Sequence, residues 1–438
     1  MQQISLDEFR TRRNRAFDNL KGGIAVIPSA RMVPRNGDSE FPFRQNSDFL
    51  YLTGLNEPDA TLLLLPDRRS IIFMQPRSRE HEVWTGYRMG LDAAPTDLGV
   101  DLAFDIATLE ERLPEFLIGS ETLFFDFGND ESFDKTIFSA VRKARELTRR
   151  RGFAPSILHG MNAWIHDLRS IKSPAEIALM REAAEITRRG HVAAMQAVRP
   201  GMYEYELQAI LEYEYRRAGS QSVAYESIVA AGNNATVLHY VSNRSHIKDG
   251  DLVLIDSGAE VFGYASDVTR TFPANGHFQG EQRALYEIVL HAFHAACDQV
   301  RAGVARTAYH EAAVRTLSHG LLDLGLLHGS LDEIIETQSY AEYYMHGTGH
   351  WLGLDVHDAG RYRNPDDSPV LLTQGMALTV EPGIYIRQDA PCDPRFHGIG
   401  IRIEDDVIVT HNGFENITAS IPKTIDEISA LMCERAMG

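Results

Sequence analysis

Cysteine is almost missing from this chain. Its 438 residues include Cys297, Cys392 and Cys433 and no others. Three thiols, odd in number and far apart, imply neither a disulfide framework nor a cysteine zinc site. Long apolar runs are missing too. Purely apolar stretches such as the four leucines at 62–65 fall far below the ~20 residues of a membrane-crossing helix. The opening segment MQQISLDEFRTRRNRAF has no apolar core of the length a signal peptide needs. A cytoplasmic, reducing location with no membrane partner is the expectation, and under it the sequons at Asn234 and Asn243 carry no meaning. Basic side chains are in deficit, 43 against 61 acidic ones, for a formal net charge of −18. Such a surface repels phosphate backbones and argues against nucleic acid as a partner. No glycine-rich phosphate loop follows a strand-like run, and HEAAV at 310–314 has valine where a zincin motif needs its second histidine.

What is present is a globular composition, 44% apolar and 24% charged, at a length that suggests more than one domain. Two parts are visible. In residues 1–171, the strand-like runs GGIAVIP, ATLLLLP, RSIIFMQ and TLFFDFG mix with helical stretches such as 134–151, the pattern of an α/β domain. The second part, 172–438, opens on IKSPAEIALMREAAEI. Ser173 as N-cap, Pro174 at the first helical position and Glu176 three residues after the serine make a capping box. Helices are expected over 204–218, 281–301 and 307–326. DLVLIDSGA, GYASDVTRTF, MALTVEPGIYI and GIGIRIEDDVIVT read as strands, so this part is α+β with an antiparallel sheet flanked by helices.

Two aspartates in DLVLIDSGAEVFGYASDVTRTF carry a chemical signal. A hairpin centred between Val261 and Phe262 puts Asp256 directly across from Asp267. Opposed like charges destabilise a sheet, so a shared proton or, better, a bound cation should compensate. A register shifted by one residue would instead separate them onto opposite faces. Glu381 in TVEPGIY and Glu404 in IRIEDDV also interrupt apolar strands. Each is either on a solvated face or coordinating something. Arg402 shares the face of Glu404 and is either a partner behind a ligand carboxylate or half of a surface ion pair. Finally, MHGTGHWLGLDVHD at 345–358 gathers His346, His350 and His357. Gly347 and Gly349 argue against a helix there, and an extended chain points His346 and His350 to one side. Four carboxylates and one neutral imidazole would balance two divalent cations. Oxygen-rich ligation with one nitrogen suits manganese, with cobalt, iron or zinc as other occupants.

These segments resemble the metal-site segments of the pita-bread peptidases, the family of methionine aminopeptidase, prolidase and aminopeptidase P. FPFRQNSDFLYLTGLNEPDATLLL at 41–64 and IKSPAEIALMREA resemble the aminopeptidase P members, and HWLGLDVHD favours those over prolidase. The resemblance implies a C-terminal pita-bread domain behind an N-terminal α/β domain. It also implies a dinuclear site held by Asp256, Asp267, His350, Glu381 and Glu404. By the same resemblance His239, His346 and His357 would serve the substrate cleft, and Asp38 would lie near a border with a neighbouring chain in a homo-oligomer, dimer or tetramer.

The implied activity is removal of the first residue from peptides with proline second. A hydroxide shared by the two ions would attack, and Glu381 would shuttle the proton to the proline nitrogen. His239 or His357 would stabilise the oxyanion, and His346 and Tyr362 would wall the proline ring, with Trp351 more simply core. The alternatives are a prolidase acting on Xaa-Pro dipeptides, a metal-free binding module on the same fold, and organophosphate hydrolysis as a side reaction.

Overall fold

The computed structural model describes residues 4–149 and 152–434. Its chain divides into two units between Arg169 and Ser170, two residues ahead of the expected 171/172 boundary. In the first unit, helix α1 (Leu6–Leu20) starts at Ser5, whose side chain accepts the Glu8 N–H. The strands β1 (Ile24–Pro28), β2 (Thr61–Leu64), β3 (Ser70–Met74), β4 (Leu102–Asp105), β5 (Thr122–Phe124) and β6 (Ile157–His159) form one sheet in the order β4-β3-β2-β1-β5-β6. The β1–β2 and β2–β3 pairs are antiparallel and the others parallel. All four expected strands are there. Ile24, Val26, Leu63, Ile71, Phe73 and Leu123 pack against α2 (Leu109–Leu117) and α3 (Glu131–Leu147) to make the core. Helix α3 was expected over 134–151. It begins earlier because Asp130 caps it, accepting from Ser132 and Phe133 N–H, and it ends at Leu147; residues 150–151 of that expectation lie outside the described residues.

The second unit opens as its sequence requires. Helix α4 (Pro174–Ala197) carries the complete capping box, with Ser173 Oγ accepting the Glu176 N–H and Glu176 accepting the Ser173 N–H. Helices α5 (Glu204–Arg217), α6 (Gly280–Cys297) and α7 (Thr307–Asp323) occupy the expected places, ending before 218, 301 and 326. Among the described residues no helix is long and apolar enough to cross a membrane.

Two antiparallel ribbons run between these helices. In the first, β7 (Ile228–Ala231) pairs with β8 (Leu252–Asp256), and β9 (Ala259–Val261) turns into β10 (Tyr264–Ala265) before β11 (Thr269–Pro273) returns along β8. The turn is Phe262-Gly263, both at positive φ, 49° and 83°, the geometry of a tight two-residue hairpin. One register runs through the whole ribbon: Asp256 pairs with Thr269 and Val261 with Tyr264. This corrects the expected pairing. Asp256 does not oppose Asp267, because the turn centre lies one residue further along than the sequence suggested. The pairing therefore slips by two residues, which is a full pleat, and both aspartates stay on the same face. Gly258 falls across from Asp267, and a Cβ there would collide with the Ser266 carbonyl.

In the second ribbon, β12 (Ala377–Val380) pairs with β15 (Asp405–Val409), and β13 (Gly383–Ile386) with β14 (Ile399–Arg402). The register again continues across the interruption, from Val380–Asp405 to Gly383–Arg402, which sets Glu381 across from Glu404. Pro382, without an N–H, cannot extend the ladder. The ribbons are joined by the Glu404 N–H to Thr269 O at 3.1 Å and by Thr271 Oγ1 to Arg402 O at 3.0 Å.

Candidate metal centre and substrate cleft

The carboxylates sit where the ribbons are interrupted. Asp256 ends β8, Asp267 lies between β10 and β11, Glu381 between β12 and β13, and Glu404 between β14 and β15. The histidine segment is fastened beside them. It forms no helix, and a Cβ on Gly349 would collide with the Thr379 carbonyl. His350 and Thr379 exchange hydrogen bonds, Thr379 N–H to His350 O at 3.0 Å and His350 N–H to Thr379 Oγ1 at 3.1 Å. The Glu381 N–H reaches Thr348 O at 2.8 Å. The close glycine contact thus presses His350 onto the strand that leads into Glu381.

The ligand atoms of Asp267, His350 and Glu404 all lie within 4.8 Å of one another. His350 Nε2 is 3.2 Å from Asp267 Oδ2 and 3.8 Å from Glu381 Oε1. Its Nδ1 is 2.9 Å from the Trp351 carbonyl. That contact places a proton on Nδ1 and aims Nε2 at the carboxylates, the orientation a metal-ligating imidazole takes. Asp256 and Glu381 line the same cavity of about 530 Å³, together with His239, His346, His357, Arg402 and the apolar Ile228, Leu238, Val241 and Val356.

So many carboxylates in one buried place perturb one another. Burial, and then the charges of Asp267, Glu381 and Asp256, push Glu404 well above the usual carboxylate range. Burial raises Asp256 as well, against the pull of Arg402. Burial lifts Glu381 to about 7 although His350 and Arg402 oppose it. Burial alone would lower His350, but Asp267 overrides it and carries the imidazole up to about 9. The arrangement calls for positive charge among these oxygens.

A buried frame holds the site. Arg402 is 3% exposed, which removes the surface-pair reading. It donates from Nη2 to Asp256 Oδ2 at 2.5 Å, from Nε to Thr269 Oγ1 at 3.0 Å and from Nη1 to the Tyr385 hydroxyl at 3.0 Å. Its carboxylate partner is Asp256, on the other ribbon, and not its sequence neighbour Glu404. Thr269 in turn donates to Glu404 Oε2 at 2.7 Å. His346 Nε2 is 2.8 Å from the Tyr385 hydroxyl and its Nδ1 2.7 Å from Gly347 O. Burial and Arg402 lower His346 to about 3. The His357 ring stands edge-on to His350, centroids 4.2 Å apart, and burial lowers it too.

The comparisons with known proteins agree. Residues 178–411 match the model of Metallopeptidase family M24, and residues 9–124 match the aminopeptidase P N-terminal domain. The Xaa-Pro aminopeptidase of Escherichia coli K12 is 43% identical over 437 residues, 99% of each chain. The solved structure of Pseudomonas aeruginosa aminopeptidase PepP is 45% identical over 100% of both chains, with a TM-score of 0.98. Zinc-substituted Escherichia coli aminopeptidase P in complex with product is 43% identical over 99% of both chains, with a TM-score of 0.96. The chain belongs to metallopeptidase family M24, as an aminopeptidase P. It is a metal-dependent exopeptidase with Xaa-Pro aminopeptidase activity, and the prolidase and binding-module alternatives fall away.

One expected residue of this aminopeptidase P stands elsewhere. Tyr362, 45% exposed, is outside the cleft lining; it stacks on Arg306, whose guanidinium carbon is 4.1 Å from the ring centre. Asp38 is exposed at the Pro34–Asn36/Ser39–Glu40 hairpin of the first unit. Trp351 is core, 3% exposed, with its indole N–H on Arg361 O. Sequence reasoning missed Tyr225, whose hydroxyl lies between Asp256 and Asp267 and hydrogen-bonds to each. It lies in AYESI, which has no periodicity or charge pattern to mark it. Tyr385 was inside a quoted motif, GIY, but only the fold gives it His346 and Arg402 as partners.

Proposed function

We propose that Asp256, Asp267, His350, Glu381 and Glu404 hold two divalent ions, manganese by the character of the donor set, with cobalt, iron or zinc able to substitute. The donors fit that pair. Four carboxylates offset two double charges, and Nε2 of His350 faces the acidic groups, 3.2 Å from Asp267 Oδ2. The observation that carries the reading is the convergence of Asp267, His350 and Glu404 in a cleft where burial opposes ionisation of Glu381 and Glu404. Bound there, the ions would supply Lewis acidity toward the scissile carbonyl and a water of lowered pKa.

The chain's own groups orient the peptide and move the proton. Glu381, which lines the cleft between the two interrupted strands of the second ribbon, is placed to take a proton from the attacking water and pass it to the proline nitrogen as that bond breaks. His239 and His357 line the cleft and offer imidazole N–H groups to the carbonyl oxygen as it gains charge. His346, fixed by Tyr385, borders the place of the proline ring, and Ile228, Leu238, Val241 and Val356 give that ring an apolar surround. Arg402 keeps Asp256 oriented; loss of one partner of such a buried pair costs about 3–5 kcal/mol. In this reading 1–171 is the N-terminal domain and 172–438 the catalytic one. The chain works as a cytoplasmic homo-oligomer, tetramer or dimer, with Asp38 near a neighbour's cleft; a monomeric mass in light scattering would remove that part.

The test is an assay of manganese-loaded protein on peptides with proline or alanine second, from dipeptides upward. Release of the first residue from Xaa-Pro-Yaa and longer chains, with the alanine series untouched, is the expected result. Equal cleavage of the alanine series, or bound metal without any turnover, would overturn these residue roles.

A further inference from the structure

We infer that Glu204 is a positioning residue for His239, acting through the loop 231–245 that forms one lip of the substrate cleft. The inference rests on the reading of His239 as a donor to the substrate.

Glu204 is the first residue of α5 and is 0% exposed. Its two carboxylate oxygens accept four hydrogen bonds. Oε1 takes the Ala231 N–H at 2.9 Å and Asn234 Nδ2 at 2.8 Å. Oε2 takes the Tyr240 hydroxyl at 2.9 Å and the Ser245 N–H at 2.8 Å. A carboxylate has about four lone-pair sites, and here each has a donor. All four donors belong to one segment. Ala231 and Ser245 are its ends, and Tyr240 is the residue after His239. One buried charge therefore closes the loop at its base and fixes the neighbour of the catalytic imidazole.

The side chains alternate accordingly. His239 and Val241 line the cleft, while Tyr240 turns back, packing against the cluster of Ile228, Ala230, Ala235 and Leu254. Rotation of Tyr240 would move His239 with it.

Glu204 has company on α5. Gln208, one turn on, accepts from Asn243 Nδ2 at 2.9 Å, and Asn243, at φ 48°, accepts the Val229 N–H and donates to Ser227 O. Glu212, another turn on, accepts from Gln208 and from Ser227, whose hydroxyl is 3.0 Å from that of Ser257 beside Asp256. Spacing of four places all three on one helical face. That face holds the strand-and-loop segment 227–245 from behind the site. A loop needing only anchorage could use side-chain amides throughout, as Asn243 does. A buried carboxylate costs more to desolvate and in return sets four donors at once, so it suits a loop whose geometry matters.

The test uses Glu204→Gln and Tyr240→Phe, each alone and combined with His239→Ala, in metal-loaded full-length protein. Glu204→Gln replaces an acceptor with an amide that repels two of the four donors. The expected result is a kcat lower by about tenfold with KM within about twofold, the pattern of an interaction made in the transition state. Bound metal is unchanged, and hydrogen exchange of the 231–245 segment is faster, with or without metal. Tyr240→Phe, which keeps the core packing, lowers kcat by about threefold. In the His239→Ala background neither change lowers kcat further. Three results would overturn the proposal. Faster exchange with unaltered kcat would make Glu204 an anchor only. Losses that multiply with His239→Ala would mean that it acts elsewhere. A His239→Ala enzyme with full kcat would remove the role of His239 itself, and the proposal with it. If Glu204→Gln does not fold, Tyr240→Phe and its double variant decide alone.

Discussion

The two ribbons that carry the acidic groups solve one problem differently. In the second, Glu381 and Glu404 stand across from each other in one register, separated by an interruption that Pro382 enforces. In the first, the aspartates are staggered: Asp256 is paired with Thr269, and Asp267 looks across at Gly258. Side-chain reach explains the difference. A glutamate can swing away from an opposed partner by its extra methylene. An aspartate cannot, and direct opposition on a ladder would hold two short carboxylates at about 4.5–5.5 Å between Cβ atoms. The first ribbon therefore spaces its charges through the backbone, and the second through the side chains. Their supports differ as well. The first leans on α4 through His191, which is 0% exposed and bonded to Ser257 O at 3.0 Å. The second is pinned by ions: Asp405 pairs with Arg270 at 2.6 Å and with Lys423 at 2.8 Å.

The largest effect expected of any change is at Glu381. Glu381→Ala should lower turnover by about 10³-fold or more, since in the proposed reading it would remove a ligand and the proton carrier together. Near wild-type kcat at full metal content would take Glu381 out of that role and leave the second ribbon with a single functional glutamate.

The backbone contrast is tested next. Gly258→Ala forces a Cβ deep into the Ser266 backbone, whereas a Cβ on Gly383 meets the Tyr385 side chain first, Oη at 2.5 Å, and the Ile401 backbone carbonyl less closely, at 2.8 Å. The first should cost about 3 kcal/mol or more in urea unfolding and the second about 1–2 kcal/mol. Equal losses would erase the distinction between a ribbon that depends on its backbone and one that depends on its side chains.

Acid should find His191, behind the first ribbon, before Asp405 in the second. Burial lowers His191 from 6.5 to about 4, the bond to Ser257 O only partly opposing it. Its folded pKa lies below the unfolded value, so the unfolded chain binds the extra proton in that window. The stabilisation is whole above pH 6.5 and is lost as pH falls toward 4, by about 3 kcal/mol in all. Asp405 loses stability in the same direction but at lower pH: burial would raise it, but Arg270 and Lys423 hold it below 3.8. Its contribution is lost only below that pH. His191→Gln should flatten the stability profile between pH 6.5 and 4; an unchanged slope would remove His191 as the cause. The smallest effect belongs to the exposed pair Arg181–Glu415, at 2.7 Å, which links α4 to Phe414–Asn416 beside β15. Arg181→Ala should cost under about 1 kcal/mol and less in high salt; a larger loss would mean that the second ribbon also leans on α4.

Much of this was readable in the chain. Ser173, Pro174 and Glu176 announced α4, and carboxylates in apolar strands announced the ribbons' chemistry. The turn was misread by one residue for a specific reason. A tight hairpin of this type favours Asn or Gly at its first position, and here Phe262 holds the positive φ, so Gly263 marked the turn but not its exact centre. Arg402 was assigned to its own face and the neighbourhood of Glu404, yet its carboxylate is Asp256, nearly 150 positions away in sequence (|i−j| = 146). Tyr225 had no signal at all.

The sequence by itself determined which groups could do chemistry and which elements would carry them, because capping, periodicity and the cost of a charge in an apolar strand act over a few residues. Only the tertiary structure decided who meets whom: Arg402 with Asp256, Tyr385 with His346, Glu204 with the His239 loop. Those pairings arise where ribbons and helices from distant parts of the chain pack together and bring buried polar atoms within reach of one another, and no short-range rule can encode that.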